Sequence, residues 1–156
     1  MGIRLYEFVS GGNRRNLATE DRARASMDID RRYSKKVIFL SHKTGDESAT
    51  ALASRIDQHH NATVYMAEWD DRIDASDPNV LPDYIMAVIQ TCDGFLVNVS
   101  SPIIVSMWVG YEIGGAHALR KTRAKYIYSY VPNLPSVVEA LKSINGSSLD
   151  SWIRSL

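Results

Sequence analysis

The feature that most constrains this chain is a series of short apolar runs that alternate with longer amphipathic segments. Apolar runs of four to eight residues suit buried strands, whereas helices need longer segments. Strands that alternate with helices form a parallel sheet covered on both faces. Right-handed crossovers between them then predict a doubly wound, three-layer α/β domain. The runs are VIFL (37–40), TVYM (63–66), GFLVNV (94–99) and AKYIYSYV (124–131).

The intervening segments carry helix start signals. Thr44 and Glu47 have the spacing of a capping box, which predicts a helix from there to about His59. Pro82 stands in the first turn of a second helical segment, where its missing N–H group costs nothing. We expect a sheet of four strands, or of five if a further short strand is present. The remaining helices are predicted in SMWVGYEIGGAHAL (106–119), LPSVVEALKSI (134–144) and LDSWIRSL (149–156).

The distribution of charge separates an N-terminal arm from one domain. The first 36 residues hold nine of the 18 Lys and Arg residues and five of the 18 Asp and Glu residues. Residues 1–35 are therefore predicted to form a polar, basic arm or helix, and residues 36–156 the domain. Acids are interspersed in the arm and aromatic residues are sparse. A solvated face or a contact with another subunit is thus favoured over a nucleic-acid-binding arm.

Overall composition is typical of a soluble cytoplasmic protein. The formal net charge is +0, so no global field attracts nucleic acid or a membrane surface. No apolar run reaches the roughly 18 to 20 residues that span a bilayer, and the start lacks the pattern of a secretory signal. The single cysteine, Cys92, cannot form an internal disulfide and suits a reducing compartment.

A ligand site is expected at the carboxyl ends of the predicted strands, because open α/β sheets bind ligands there, near the reversal of strand order. Polar and aromatic residues follow three of the strands. They are Ser41, His42 and Lys43 after the first strand, Glu68, Trp69 and Asp70 after the second, and Asn98, Ser100 and Ser101 after the third.

Glu112 is a carboxylate placed among apolar residues of the helix that follows the third strand. Trp108 and Glu112 are four residues apart and share one helix face. Either Glu112 lies beside a polar ligand in a cleft, or it is a solvated surface residue with Trp108 in the core. Gly114, Gly115 and Ala116 favour the cleft, because small residues let this helix approach the sheet closely.

Other motifs are weak, and no metal site is predicted. His59 and His60 are adjacent and point apart on a helix, which is unsuitable for ligating one ion. Acidic residues between Glu68 and Asp83 match no calcium-loop spacing. Ser41 and His42 face opposite ways on an extended chain, so adjacency does not make them a nucleophile and its base. The sequence contains neither a phosphate-binding P-loop motif nor GxGxxG.

The ordered set of segments resembles the Toll/interleukin-1 receptor (TIR) domain in its bacterial form. VIFLSHKTGDES resembles the family's first strand and loop, and VYMAEWDD resembles its second strand running into the BB loop. LPDYIMAVIQTCDGFLVNVSSPIIVSMWVGYEIGGAHAL resembles its central run, so the match covers roughly residues 36–131. The BB loop usually carries Pro-Gly, whereas this chain has Asp77-Pro78-Asn79. The resemblance implies a flavodoxin-like three-layer fold.

The same resemblance implies an activity. Family members with Trp-x-x-x-Glu, here Trp108 and Glu112, are typically enzymes that cleave the nicotinamide–ribose bond of NAD+. Glu112 is then the catalytic carboxylate, and NAD+ is a substrate rather than a cofactor. The residues expected to contact it are Ser41, His42, Lys43, Trp69, Asp70, Ser100 and Trp108, with Trp69 stacking on the pyridinium and Asp70 favouring its charge.

Bacterial relatives of this build make linear or cyclic ADP-ribose products that activate a separate effector protein, often in antiviral defence. They also self-associate through TIR–TIR contacts. Two alternatives remain at this point. A TIR domain can be a non-catalytic assembly module, and EIGGAHAL is also similar to the Glu-Ile-Gly-x-Ala motif of nucleoside deoxyribosyltransferases.

Overall fold

The computed structural model describes residues 35–67, 81–100 and 107–156. In this part of the chain, five parallel strands form one sheet in the order β2-β1-β3-β4-β5. This is the flavodoxin-like strand order. The predicted parallel sheet is confirmed, and so is the short fifth strand. The strands are β1 (Lys36–Ser41), β2 (Ala62–Tyr65), β3 (Gly94–Val99), β4 (Thr122–Ile127) and β5 (Lys142–Ile144).

Helices cover both faces of the sheet, which gives three layers. Residues of β1 alternate between two apolar clusters: Val37 and Phe39 join one, and Ile38 and Leu40 join the other. The first cluster includes residues of α2, α3 and α4, and the second includes residues of α1 and α5. The predicted doubly wound α/β fold is therefore confirmed. The helices are α1 (Glu47–His59), α2 (Leu81–Thr91), α3 (Met107–Ala118), α4 (Ser136–Glu139) and α5 (Leu149–Arg154).

The start of α1 differs from the prediction, although its end at His59 agrees. Asp46, rather than Thr44, is the N-cap residue, and its carboxylate accepts a hydrogen bond from the Ser48 N–H group at 3.0 Å. Gly45 precedes it with a φ of +81°, a left-handed conformation that suits glycine. This turn moves the first helical residue to Glu47.

The C-terminal part of the predicted fourth strand and the helix predicted over 134–144 were wrong. β4 ends at Ile127 because β3 ends at Val99, whose carbonyl accepts hydrogen bonds from the N–H groups of Tyr128 and Ser129. The predicted helix divides into the short α4 and strand β5. Its apolar spacing suits a helix, but pairing with the open edge of β4 determines the observed structure.

Lys125 is a buried cation in the middle of β4 that the sequence pattern does not predict. Its ammonium group donates hydrogen bonds to the backbone carbonyls of Val138 at 3.2 Å and Glu139 at 2.8 Å. A carboxylate oxygen of Glu139 lies 3.9 Å away. Lys125 thus satisfies the C-terminal carbonyls of α4 and ties this short helix to the sheet.

Lys125→Met is expected to lower the free energy of unfolding by about 1–3 kcal/mol, because it removes the side-chain donor to the Glu139 carbonyl and one of the donors to the Val138 carbonyl, which also accepts from the Leu141 N–H group. Urea denaturation of both proteins measures the difference. Lys142→Met, at an exposed position of the neighbouring strand β5, is the matched control and is expected to change stability much less. Equal losses in the two variants would contradict the role of Lys125.

The predicted arm, residues 1–35, lies outside the described residues except for Lys35. Among the helices of the described ranges, none combines the length and the apolarity needed to cross a membrane.

Candidate active site

The candidate site lies at the carboxyl ends of β1 and β3. These strands are neighbours, and the order of the sheet reverses between them, which is where ligands bind in flavodoxin-like folds. Ser41 ends β1 and is paired in register with Val97, while Asn98 and Ser100 follow at the end of β3. The side chains of Ser41 and Val97 belong to the face covered by α2 and α3. Asn98 and Ser100 belong to the face covered by α1.

Glu112 is buried and Trp108 is exposed. This is the reverse of the interpretation in which Glu112 is a solvated surface residue and Trp108 lies in the core. The exposed fraction is 6% for Glu112 and 44% for Trp108. Glu112 lies on α3 with its carboxyl group near the Ser41 hydroxyl at the end of β1. A carboxyl group is therefore held inside the domain at the point where the fold is expected to bind a ligand.

Burial raises the pKa of Glu112 to about 8, because desolvation disfavours the charged carboxylate. A hydrogen bond from Ser41 opposes this effect only partly. The Ser41 hydroxyl makes no well-aligned hydrogen bond with any group in the described ranges, so we regard this contact as weak. Within those ranges, no Lys or Arg side chain forms an ion pair with Glu112. The carboxyl group is mainly neutral at pH 7.

Small residues on α3 allow close packing around Glu112. The helix was expected to approach the sheet closely, but the closest approach at Gly115 is to the neighbouring helix α2. A Cβ atom on Gly115 would overlap Sδ of Met86, so Gly115 permits close contact with α2 rather than with the sheet. Ala116 is fully buried in the apolar cluster of this face. Gly114 faces open space and contributes nothing to the packing.

An exposed aromatic pair lies beside Glu112 on α3. The rings of Trp108 and Tyr111 meet edge to face with centroids 5.5 Å apart. The Tyr111 hydroxyl donates a long hydrogen bond of 3.4 Å to the carbonyl of Pro82 on α2. Tyr111 was not predicted from the sequence, although its position three residues after Trp108 places both on one helix face.

A second polar group, which we call the Asp46 cluster, lies on the opposite face of the same sheet edge. It consists of Asp46, Ser48, Asn98 and Ser100. One carboxylate oxygen of Asp46 accepts hydrogen bonds from the Ser48 N–H group at 3.0 Å and the Ser48 hydroxyl at 2.7 Å. The other accepts from the Asn98 amide at 3.3 Å and from the Ser100 hydroxyl. The cluster joins the loop after β1 to the end of β3.

Asp46 is ionised and saturated with donors. Its partial burial alone would raise the pKa, but the hydrogen bonds from Ser100, Ser48 and Asn98 outweigh that effect and hold the pKa below its ordinary value. Its negative charge occupies the N-terminus of α1, a position where helices otherwise bind anions. The N–H groups of Asp46 and Ala49 are also engaged, with the carbonyls of Lys43 and Asp46. This turn is therefore a poor site for phosphate.

Of the predicted site residues, Ser41 and Glu112 lie close together on one face of the sheet. Ser100 lies at the end of β3 on the other face, and Trp108 lies one turn before Glu112 on α3. His42 is half-buried in the loop after β1, and its Nδ1 atom lies 3.0 Å from the carbonyl of Leu40, to which it donates. Lys43 is half-buried in the same loop. Trp69 and Asp70 lie outside the described residues.

Sequence reasoning missed Asp46 and Ser48. The available signal was an aspartate directly after a glycine and before a helical segment, which is the usual type of N-cap residue.

The described ranges hold no group of three or more His, Cys, Asp or Glu side chains suited to a metal ion. His60 instead contacts Asp150 of α5 at 3.1 Å. Because His60 lies two residues before β2 begins at Ala62, this contact lies at the opposite edge of the sheet from the candidate site.

No protein-family model matches this sequence, and no curated protein matches it either. The TIR resemblance therefore stays a prediction that depends on the motif of Trp108 and Glu112 and on the strand ends.

Glu112→Gln is expected to stabilise the protein at neutral and alkaline pH. Between pH 4.5 and about 8 the unfolded chain releases the Glu112 proton while the folded chain keeps it. The free energy of unfolding of the wild type therefore falls by about 1.4 kcal/mol per pH unit in this window. Glutamine mimics the neutral carboxyl group, so the variant is more stable by roughly 3 kcal/mol near pH 7 and equally stable near pH 4.

Urea denaturation of the wild type and Glu112→Gln at several pH values measures this difference in the free energy of unfolding. Glu47→Gln, which removes an exposed carboxylate from α1, is the control and is expected to lack the effect. Parallel stability curves for the wild type and Glu112→Gln would show that Glu112 is not held in a desolvated site.

Proposed function

We propose that this protein is a TIR-type enzyme that cleaves the nicotinamide–ribose bond of NAD+, with Glu112 as the catalytic carboxylate. The observation that carries the proposal is the burial of Glu112 at the switch point of a flavodoxin-like sheet, one turn after the exposed Trp108. A desolvated carboxyl group without a basic partner in the described ranges costs stability. Such a cost suits a group that acts on a ligand.

The reaction needs stabilisation of positive charge rather than protonation of the leaving group. The bond between C1′ and the pyridinium nitrogen breaks, its electron pair moves to that nitrogen, and nicotinamide departs as a neutral molecule. Positive charge then develops on the ribose, as in other glycosidic cleavages. An ionised Glu112 near the ribose stabilises this charge strongly, because the site is desolvated. Attack of water on C1′ yields ADP-ribose and a proton, whereas attack of the adenine yields a cyclic product.

A cationic substrate supplies the charge that Glu112 lacks in the free protein. A positive charge within a few ångströms favours the ionised form of a carboxyl group and lowers its pKa. Binding of the pyridinium would thus convert the neutral Glu112 into the carboxylate that the reaction requires. In this proposal the exposed Trp108 and Tyr111 offer aromatic faces beside the site, while Trp69 and Asp70 contact the pyridinium as expected from the sequence.

The wider role follows from the resemblance. We place the protein in the cytoplasm, where it makes a linear or cyclic ADP-ribose signal for a separate effector in antiviral defence. Self-association through TIR–TIR contacts belongs to the same proposal.

The second candidate is a non-catalytic assembly module. The exposed pair of Trp108 and Tyr111 favours it, because large exposed aromatic residues are also typical of protein interfaces. The burial of Glu112 argues against it, since an adaptor has no use for a carboxyl group in that position.

Purified protein at high concentration is expected to release nicotinamide from NAD+, and Glu112→Gln is expected to lower the rate by about 100-fold or more. High concentration favours any assembly that the activity needs. Mass spectrometry of the products distinguishes water from adenine as the attacking group. Glu47→Gln is the control and is expected to keep full activity.

Absence of nicotinamide release by the wild type, even under crowding, would favour the assembly module. Base exchange on deoxynucleosides without NAD+ cleavage would instead favour the deoxyribosyltransferase.

The pH dependence of kcat/KM is expected to show a rising limb with a midpoint near pH 8, the pKa of Glu112 in the free protein. The carboxylate is the active form, so the rate rises with pH. The midpoint of the kcat profile is expected at lower pH, because the bound cation favours ionisation. Steady-state rates between pH 5 and pH 9.5 measure both profiles. A profile that falls through this range would contradict the role of an ionised Glu112.

A further inference from the structure

The hydrogen atoms of the Asp46 cluster all point inward. Ser48 donates its hydroxyl and backbone hydrogens to Asp46, and Ser100 donates its one hydroxyl hydrogen to the same carboxylate. The Asn98 amide donates to Asp46 at 3.3 Å and to the Ser48 hydroxyl at 2.8 Å. Each side-chain donor in the cluster is therefore used, and the hydrogen-bonding capacity that Ser100 and Asn98 have left is lone pairs.

The orientation of the Asn98 amide follows from its neighbours. Turning the amide around would place its oxygen against the Asp46 carboxylate, where two acceptors would repel each other. The amide nitrogen must therefore face Asp46. The oxygen, Oδ1, is buried and has no hydrogen-bond partner in the part of the chain that the structure describes. Such an atom is costly unless a ligand or water supplies a donor.

We propose that the Asp46 cluster makes the β3 side of the site a surface of hydrogen-bond acceptors, which recognises the hydroxyl groups of a sugar. Ser100 and Asn98 are the recognising residues, and both are more than nine-tenths buried at the end of β3. Asp46 is a positioning residue: by accepting their hydrogens, it leaves Ser100 and Asn98 to act as hydrogen-bond acceptors. This inference rests on the proposed function, in which the ligand is NAD+ and the sugar is one of its two riboses.

The same arrangement excludes phosphate from this side of the site. A phosphate group carries acceptors and negative charge, so it would meet the lone pairs of Ser100 and Asn98 and the charge of Asp46 without a compensating donor. The pyrophosphate of NAD+ is accordingly expected away from the Asp46 cluster.

Fluorine substitution of the ligand tests the polarity directly. Replacing a ribose hydroxyl with fluorine keeps its size but removes its hydrogen, so only a hydroxyl that donates loses affinity. Calorimetric titration of the Glu112→Gln protein with NAD+ and with four analogues, each lacking one ribose hydroxyl hydrogen, gives the dissociation constants. At least one analogue is expected to bind roughly 3- to 10-fold more weakly than NAD+.

Two further substitutions, each made in the Glu112→Gln protein, test whether the Asp46 cluster causes the loss of affinity on fluorine substitution (the fluorine penalty). Ser100→Ala removes an acceptor and is expected to abolish the fluorine penalty at one position. Asp46→Asn keeps a good N-cap but places a donor against Ser100 and Asn98, so it is expected to reverse the polarity of the cluster and also abolish the penalty. Asp150→Asn, at the opposite edge of the sheet, is the matched control and is expected to retain the penalty.

The outcomes separate the two proposals. If no analogue binds more weakly than NAD+, or if the penalty persists in both Ser100→Ala and Asp46→Asn, the acceptor surface is wrong while NAD+ binding stands. If neither the wild type nor Glu112→Gln binds NAD+ saturably, the proposed function fails and this inference fails with it. Circular dichroism checks that each variant is folded. If only one of the two cluster variants folds, persistence of the penalty in that variant is the contradicting result.

Discussion

The pairing of β1 with β3 is the interaction on which the candidate site depends. The ladder runs from the pair Ile38–Gly94 to the pair Ser41–Val97, so β1 ends two residues before β3 ends at Val99. At the start of the ladder, the Asp93 carboxylate accepts a hydrogen bond from the Val37 N–H group at 2.9 Å, which fixes the register. A shift by one residue would move Ser41 to the opposite face, away from Glu112. The register therefore sets which polar groups meet at the switch point.

The buried carboxyl group of Glu112 on α3 lowers the free energy of unfolding. Its surroundings show how the fold tolerates this cost. The residue lies between Val109, Ile113 and Ala116, all of which are buried in the same apolar cluster. Burying this apolar surface offsets the cost of a desolvated carboxyl group. The cost is small while the group is neutral and grows as it ionises. An apolar residue of similar size at this position would stabilise the domain more, so the carboxyl group itself contributes nothing to the stability of the fold.

Much of the fold follows from the sequence, because apolar periodicity and turn residues act locally. The third strand, the end of α1 and the parallel arrangement are all readable from patterns within a few residues. The division of the segment 134–144 into α4 and β5 is not, since it depends on the open edge of β4 and on the buried Lys125. At the site, the strand-end rule selected Ser41 and Ser100, and the position of a carboxylate among apolar residues of the next helix selected Glu112. The bonds of Asp46 to Asn98 and Ser100 span 52 and 54 residues along the chain, and no local pattern encodes them.

The two carboxyl groups at this edge of the sheet differ in how completely their hydrogen-bonding capacity is met. Asp46 has donors on both oxygens, is ionised, and holds two loops together, so its charge state has little reason to change when a ligand binds. Glu112 has one weak contact with Ser41 and no basic partner in the described ranges, so its charge state depends on what enters the site. Environments that push two pKa values apart assign different tasks to chemically similar groups. By this criterion the saturated carboxylate is structural, and the unsatisfied one is the group that a cationic ligand would complete.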